Sequence, residues 1–377
     1  MTMGKTKFGV LFLSAIMICM LSSCANSIGT EKNISLKDTQ DIQFMETKST
    51  AATESVFHVS QDNMHNSYKS TLLCNEDKGY YIEEFYEEGA QYAYSTEIHE
   101  VDINKGKDAV LYHTDSANLI NEFNLNSKYL YWVEYEKTGE VHLVQFDPEN
   151  NDIKIIQKVN ESSNSDMIIR VSDDFVTWYE KTDDGLYVPV FFDIKRGKVD
   201  KINVKNCVIF NPYRGLDIVD KTVTFFVKNE SNGIGICRYN LYDHKSTTYF
   251  LNGFSEKDFQ ECFSDKDYIG WYCLNAKNVY GKGIFYFYDI KKNELLSFNA
   301  DGKYDIFSHI LQNDKFYFFE DQKKEIRCLN LVDKSNELID VYENGETLLW
   351  KEADSKELSF EIDLKNELEY IRLSSTT

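Results

Sequence analysis

The sequence predicts an all-β fold, a β-propeller of seven blades. Three observations carry that expectation. From residue 54 onward helical periodicity is almost absent, and short aromatic or β-branched runs alternate with Asn, Asp, Lys and Gly. A turn signature, an Asp or Asn between apolar residues, returns at a nearly constant interval. An aromatic run stands about 15 residues before each signature.

The signature positions are Asp102, Asp147, Asp193, Asn240, Asp289, Asn330 and Asp363, spaced by 45, 46, 47, 49, 41 and 33 residues. A hairpin explains the residue types. A short acid or amide caps the turn by accepting backbone N–H groups two residues on, and Lys and Gly carry the chain round, as in Asp102-Ile103-Asn104-Lys105-Gly106-Lys107. The aromatic runs include Tyr129-Leu130-Tyr131-Trp132, Phe175-Val176-Thr177-Trp178-Tyr179 and Tyr268-Ile269-Gly270-Trp271-Tyr272. They are apolar at consecutive positions, which a strand shows when both faces of its sheet are covered. Adding a shorter run before each gives about four strands per ~45 residues, the period of a propeller blade.

The last repeat is short. No strand fits between Tyr342 and Leu348, while Ser55 to Val59 alternates like a strand and belongs to no repeat. The N-terminal strand is therefore expected to complete the final blade and remove a raw sheet edge. The alternative is six blades plus an irregular hairpin.

The turns resemble those of the TolB-like and YVTN-type bacterial propeller superfamily, over nearly all of residues 54 to 373. That resemblance implies a ring of blades that binds other proteins or small ligands at one end. The Gly-Gly pairs of kelch repeats and the terminal Trp-Asp of WD repeats are missing. Ser264 to Trp271 matches a sialidase Asp-box only superficially, with its glycine misplaced and no second copy.

Composition bounds the function. The 377 residues are 42% hydrophobic and 14% aromatic, enough for a large core. A net charge of -21 argues against nucleic-acid partners. No G-x-S-x-G, H-E-x-x-H or strand-linked G-x-G-x-x-G is present, so no catalytic residue, metal or cofactor is assigned. Asp147-Pro148-Glu149-Asn150-Asn151-Asp152 offers hard oxygens, but without EF-hand spacing it reads as a solvated hairpin turn.

Residues 1–23 read as an export signal: Lys5 and Lys7, then an uncharged run from Phe8 to Leu21, too short for a comfortable membrane span. It ends in Leu21-Ser22-Ser23-Cys24, which resembles the lipobox of bacterial lipoproteins. The resemblance implies lipidation at Cys24 and a protein anchored in the cell membrane on its extracytoplasmic side. Losing Lys5 and Lys7 takes the charge from -21 to -23. Residues 24–53 read as a flexible tether, since eight of positions 25–53 are Ser or Thr and only Phe44 is aromatic. Residues 54–377 form the propeller domain. Its six cysteines, 74, 207, 237, 262, 273 and 328, are scattered and read as small buried hydrophobes rather than a disulfide framework.

Propeller ligands sit over the central channel, on loops between blades or between middle strands. Tyr92, Tyr213, Arg214, Phe254 and Tyr280 lie in such loops and carry the residue types of binding hot spots. They form the expected recognition face of a non-catalytic binding module for a protein, peptide or glycan. The competing expectation is a glycan-directed enzyme using carboxylates around the channel.

Overall fold

A computed structural model describes residues 29–41, 45–48, 52–60, 67–75, 77–88, 93–114, 118–160, 167–210, 215–274, 283–299, 306–320, 322–342, 347–354, 357–364 and 367–374. Most of the described residues are in strands, and the described residues contain no α-helix. The strands sort into seven sheets, numbered here as blades 1 to 7 in chain order. Blades 1 to 6 occupy residues 67–113, 119–160, 170–201, 208–252, 259–299 and 306–341. Blade 7 combines Thr347–Asp354, Glu357–Leu364 and Glu367–Ser374 with an N-terminal strand.

The hairpin reading of the turn signature holds at atomic level. Asp102 Oδ1 accepts Lys105 N–H at 3.0 Å, and Asp193 Oδ1 accepts Arg196 N–H at 2.8 Å. Asp147, Asn240, Asp289 and Asn330 each accept two backbone N–H groups through Oδ1. A left-handed residue then closes each turn: Gly106, Asn151, Gly197, His244, Asn293 and Lys334 have φ between 51° and 63°. Only two are glycines, because Asn, His and Lys also reach this region at modest cost, and so the motif is degenerate.

Consecutive residues of each aromatic strand point to opposite neighbours. In Leu130–Tyr135, Leu130 and Trp132 join a cluster with Tyr80 and Ile98 of blade 1. Tyr131 and Val133 join one with Trp178 and Phe192 of blade 3. The pattern recurs around the molecule. One apolar cluster fills each junction: blades 3–4, 4–5, 5–6, 6–7 and 7–1 follow. The innermost strands touch in order 1–2–3–4–5–6–7 and back to 1. The sheets therefore form a closed ring. Trp132, Trp178 and Trp271 are fully buried between blades, and burying a large side chain stabilises by roughly 1.5–3 kcal/mol.

The ring is joined by its N-terminus. β1 (Gly29–Ser35), β2 (Thr39–Asp41) and β3 (Met45–Lys48) run in sequence along the outside. β1 pairs in parallel with Ser246–Asn252 of blade 4, β2 with blade 5 from Leu295, and β3 with blade 6 from Ser335. β4 (Ala52–Ser60) then pairs antiparallel with Glu367–Ser374, placing Phe57 opposite Tyr370. The Ser55–Val59 strand thus sits in the final blade, at its outer edge, and Thr347–Asp354 takes the innermost place.

Composition predicts a spacer over residues 24–53, and here the structure differs. Residues 29–48 contain three paired strands that strap three blades. Strand addition uses backbone N–H and C=O groups of exposed edges, so it tolerates polar side chains. A few side chains fix it. Ile34 is 3% exposed within the blade 4–5 cluster. Leu36 packs on the same cluster and against Gly253, whose φ is +90°. Glu46 accepts Arg327 Nη1 at 2.7 Å and Asn336 Nδ2 at 3.1 Å. Among the described residues no further strand covers the outer strands of blades 1 to 3, which carry Lys107, Lys154, Lys158, Lys198 and Lys201. Edge lysines discourage further pairing.

The six body cysteines are separate thiols, five of them buried. Burial pushes the Cys237 and Cys328 thiols up to about 12, so they stay protonated and inert.

Candidate functional site

The innermost strands of blades 1 to 6 line a central cavity of about 480 Å³. That is within the size range of small-ligand sites. β-Bulges shape its wall. In Leu119–Leu125 the register slips between Asn121 and Asn124, and Glu122 takes a left-handed φ of 51°. Similar irregularities occur at Gln260 in blade 5 and before His309 in blade 6. Bulges re-aim side chains and recur beside functional sites.

Blades 2 to 6 each place an ionisable residue in this wall: Glu122, Arg170, Asp217, Glu261 and His309. They associate across blade junctions. Glu122 Oε2 lies 3.8 Å from Arg170 Nη1. Asp217 Oδ2 accepts Ser264 N–H at 2.6 Å and Ser264 Oγ–H at 3.0 Å. Glu261 Oε2 lies 3.7 Å from His309 Nε2. Each pair links one blade to the next, so the polar wall also stitches the ring.

Their environments differ. Burial raises the Asp217 carboxyl above its ordinary range, opposed by the hydrogen bonds from Ser264. Burial among Phe263, Phe285 and Phe316, with ring centroids 5.0 to 5.3 Å away, lowers the His309 imidazole, opposed by Glu261. Its Nε2 makes no hydrogen bond. The His309 ring is therefore neutral near pH 7. Chemically, the wall offers polar recognition groups, with Asp217 already committed to Ser264.

Among the residues expected at the recognition face, Tyr92, Tyr213, Arg214 and Tyr280 lie outside the described residues, as does Cys24. Phe254 is half-buried. Its ring packs on Tyr286 at 5.0 Å, Trp271 at 5.6 Å and Phe259 at 5.8 Å, as part of the blade 4–5 junction. The channel residues were not singled out by sequence reasoning. The available signal was a lone ionisable residue inside the short run before an aromatic strand, as Asp217 in Leu216-Asp217-Ile218-Val219.

A second ionisable cluster lies on a blade 2 hairpin, where His142 Nδ1 is 3.0 Å from Glu136 and Nε2 is 3.0 Å from Glu140. It has three groups of metal-ligand type, but Lys158 stands 3.6 Å from Glu140 and both imidazole nitrogens already face carboxylates. In the loop after Asp147, that carboxylate is occupied by Glu149 and Asn150 N–H and by Asn150 Nδ2.

No protein-family model and no curated protein matches the chain. Solved structures do. The β-propeller domain of the trilobed protease from Pyrococcus furiosus, described as having an open velcro topology, superposes with a TM-score of 0.56 at 12% identity, over 82% of this chain and 96% of that one. A prolyl endopeptidase structure gives 0.54 at 8% identity over 83% of this chain. The chain spans about half, 51%, of that enzyme. An oligogalacturonate lyase solved with manganese gives 0.52 at 10% identity, over 88% of this chain and 98% of that one. At such identities the likeness concerns the fold alone, and the fold is a β-propeller.

Proposed function

We propose that the chain is a lipid-anchored extracytoplasmic protein whose propeller binds a protein, peptide or glycan without chemistry of its own. The observation that carries the binding reading is the wall of the central cavity. It is large enough for a ligand segment, and its polar groups are already held in cross-blade pairs, most tightly Asp217 by Ser264. Pre-positioned polar groups in a rigid ring favour recognition, because little side-chain entropy remains to be lost on binding. The anchor reading rests on the box ending at Cys24.

The test uses the full-length purified protein on a combined peptide and cell-wall glycan array, with reducing-end release measured on every glycan bound. The reading expects saturable binding, weakened about tenfold or more by Arg170→Ala, the equivalent of ~1.4 kcal/mol, and no glycan cleavage. Cleavage that disappears in Glu261→Gln would replace it with the enzyme reading. For the anchor, Cys24→Ala should move the protein from membrane to soluble fractions. Persistent labelling by a lipid precursor after that change would overturn it.

A further inference from the structure

The strap fixes where the N-terminus reaches the ring. Gly29 pairs with Ser246, the first residue of the outer strand of blade 4, and lies close enough for an added Cβ to meet Ser246 Oγ at 3.2 Å. That point adjoins the turn Leu241 to Lys245. In every blade from 1 to 6 the corresponding turn lies at the same end of the ring, because the antiparallel strand order repeats. Four residues lie between Cys24 and Gly29, five backbone steps with a reach of at most about 18 Å. A lipid on Cys24 would hold this end of blade 4 close to the bilayer.

The same end carries the three most exposed large apolar side chains among the described residues. Tyr242 is 69% exposed in the blade 4 turn, Val332 57% in the blade 6 turn, and Met45 68% where β3 begins beside that turn. Met45 N–H donates to Lys334 O at 3.0 Å, which places it at the turn itself. Lysines stand among them: Lys221 Nζ lies 5.8 Å over the Tyr242 ring, and Lys245 pairs with Asp243 at 3.2 Å. Aromatic and apolar tips flanked by lysines whose stems can lie along them suit a membrane–water interface.

We propose that this turn end of blades 4 to 6, presenting Tyr242, Met45 and Val332, rests on the lipid surface when Cys24 is acylated, so that the propeller is held in one orientation rather than swinging on a tether. The proposal rests on the anchor reading above. Its occupant is the bilayer, argued from the short reach between Cys24 and Gly29 and from the apolar tips gathered at that end.

The experiment uses the full chain purified with its lipid and carrying Cys207→Ser, with a nitroxide attached to Tyr242→Cys or Val332→Cys. Asp183→Cys, on the opposite end of blade 3, is the control. Accessibility to oxygen and to a water-soluble nickel chelate is read with and without phosphatidylcholine vesicles. On vesicle binding, nickel accessibility should fall and oxygen accessibility rise at 242 and 332, with neither changing at 183. Equal responses at all three positions in a protein shown by mass to carry its lipid would overturn the docking surface and leave the anchor standing. A mass showing no lipid on Cys24 would overturn both.

Discussion

Ile34→Ala tests the strap against the spacer that composition suggests. Ile34 is 3% exposed and belongs to the cluster between blades 4 and 5. Truncating a buried Ile to Ala costs roughly 2–5 kcal/mol. β1 is an edge addition with one partner strand, so the low end, about 2 kcal/mol, applies. A further bound operates: if the strap peels away alone, the loss cannot exceed its own docking free energy. At ~2–4 °C per kcal/mol for domains of 150–250 residues, this larger ring should lose about 4 °C in Tm. Limited trypsin digestion locates the effect. Lys32, Lys37 and Lys48 should be cut slowly in the wild type and quickly in Ile34→Ala, while the ring stays intact. Equal Tm values together with rapid cutting at Lys32 and Lys37 in the wild type would refute the strap and restore a free spacer.

Four further outcomes follow from particular contacts. Ser264→Ala removes the hydroxyl donor to Asp217 and should destabilise by about 1–3 kcal/mol in a denaturant titration; no change would mean that the backbone N–H alone suffices. Gly270→Ala directs a Cβ into the Phe263 ring. It should cost roughly 1–3 kcal/mol of overpacking, and Phe263→Leu in the same chain should recover part of it. His309 is lowered in the folded state, so the unfolded chain takes up a proton first as pH falls below its ordinary 6.5. Stability present above pH 6.5 should therefore decline below it, and His309→Phe should flatten that slope in melts from pH 7 to 5. Arg327→Met leaves Glu46 without its 2.7 Å partner and should loosen β3, seen as faster amide exchange at residues 45–48.

The repeat was legible because its determinants are local. Each turn needs a short capping side chain such as Asp193 followed by a residue able to take positive φ, and both leave a mark in sequence. The doubly apolar strands were legible because both blade faces are dry, as around Trp132 and Tyr131. The strap was not, because parallel edge pairing is made by backbone groups, and among the described residues of β1 to β3 only Ile34 is an apolar side chain buried deeply, among polar neighbours. The channel charges escaped notice because they come from five blades, and nothing local distinguishes Asp217 or Glu261 from a solvated acid. Phe254 was chosen as an exposed aromatic in a loop. Its neighbours Trp271 and Tyr286, distant in sequence, draw it into a blade junction.

The N-terminal strand β4 completes the last blade and so closes the ring. Phe57 is 9% exposed and Val59 6%, packed with Leu368 and Tyr370 in the junction of blades 7 and 1. The Phe57 ring approaches Gly79 so closely that an added Cβ would lie 2.9 Å from it. Losing two such side chains forfeits roughly 3–6 kcal/mol at 1.5–3 each, against a typical total of ~5–15. The direct measurement compares the melting of a chain beginning at residue 52 with one beginning at residue 61, both lacking the strap. A closed ring predicts one sharp transition for the first and a strongly lowered Tm or aggregation for the second. Equal melting temperatures would show that the ring closes without β4 and contradict the account.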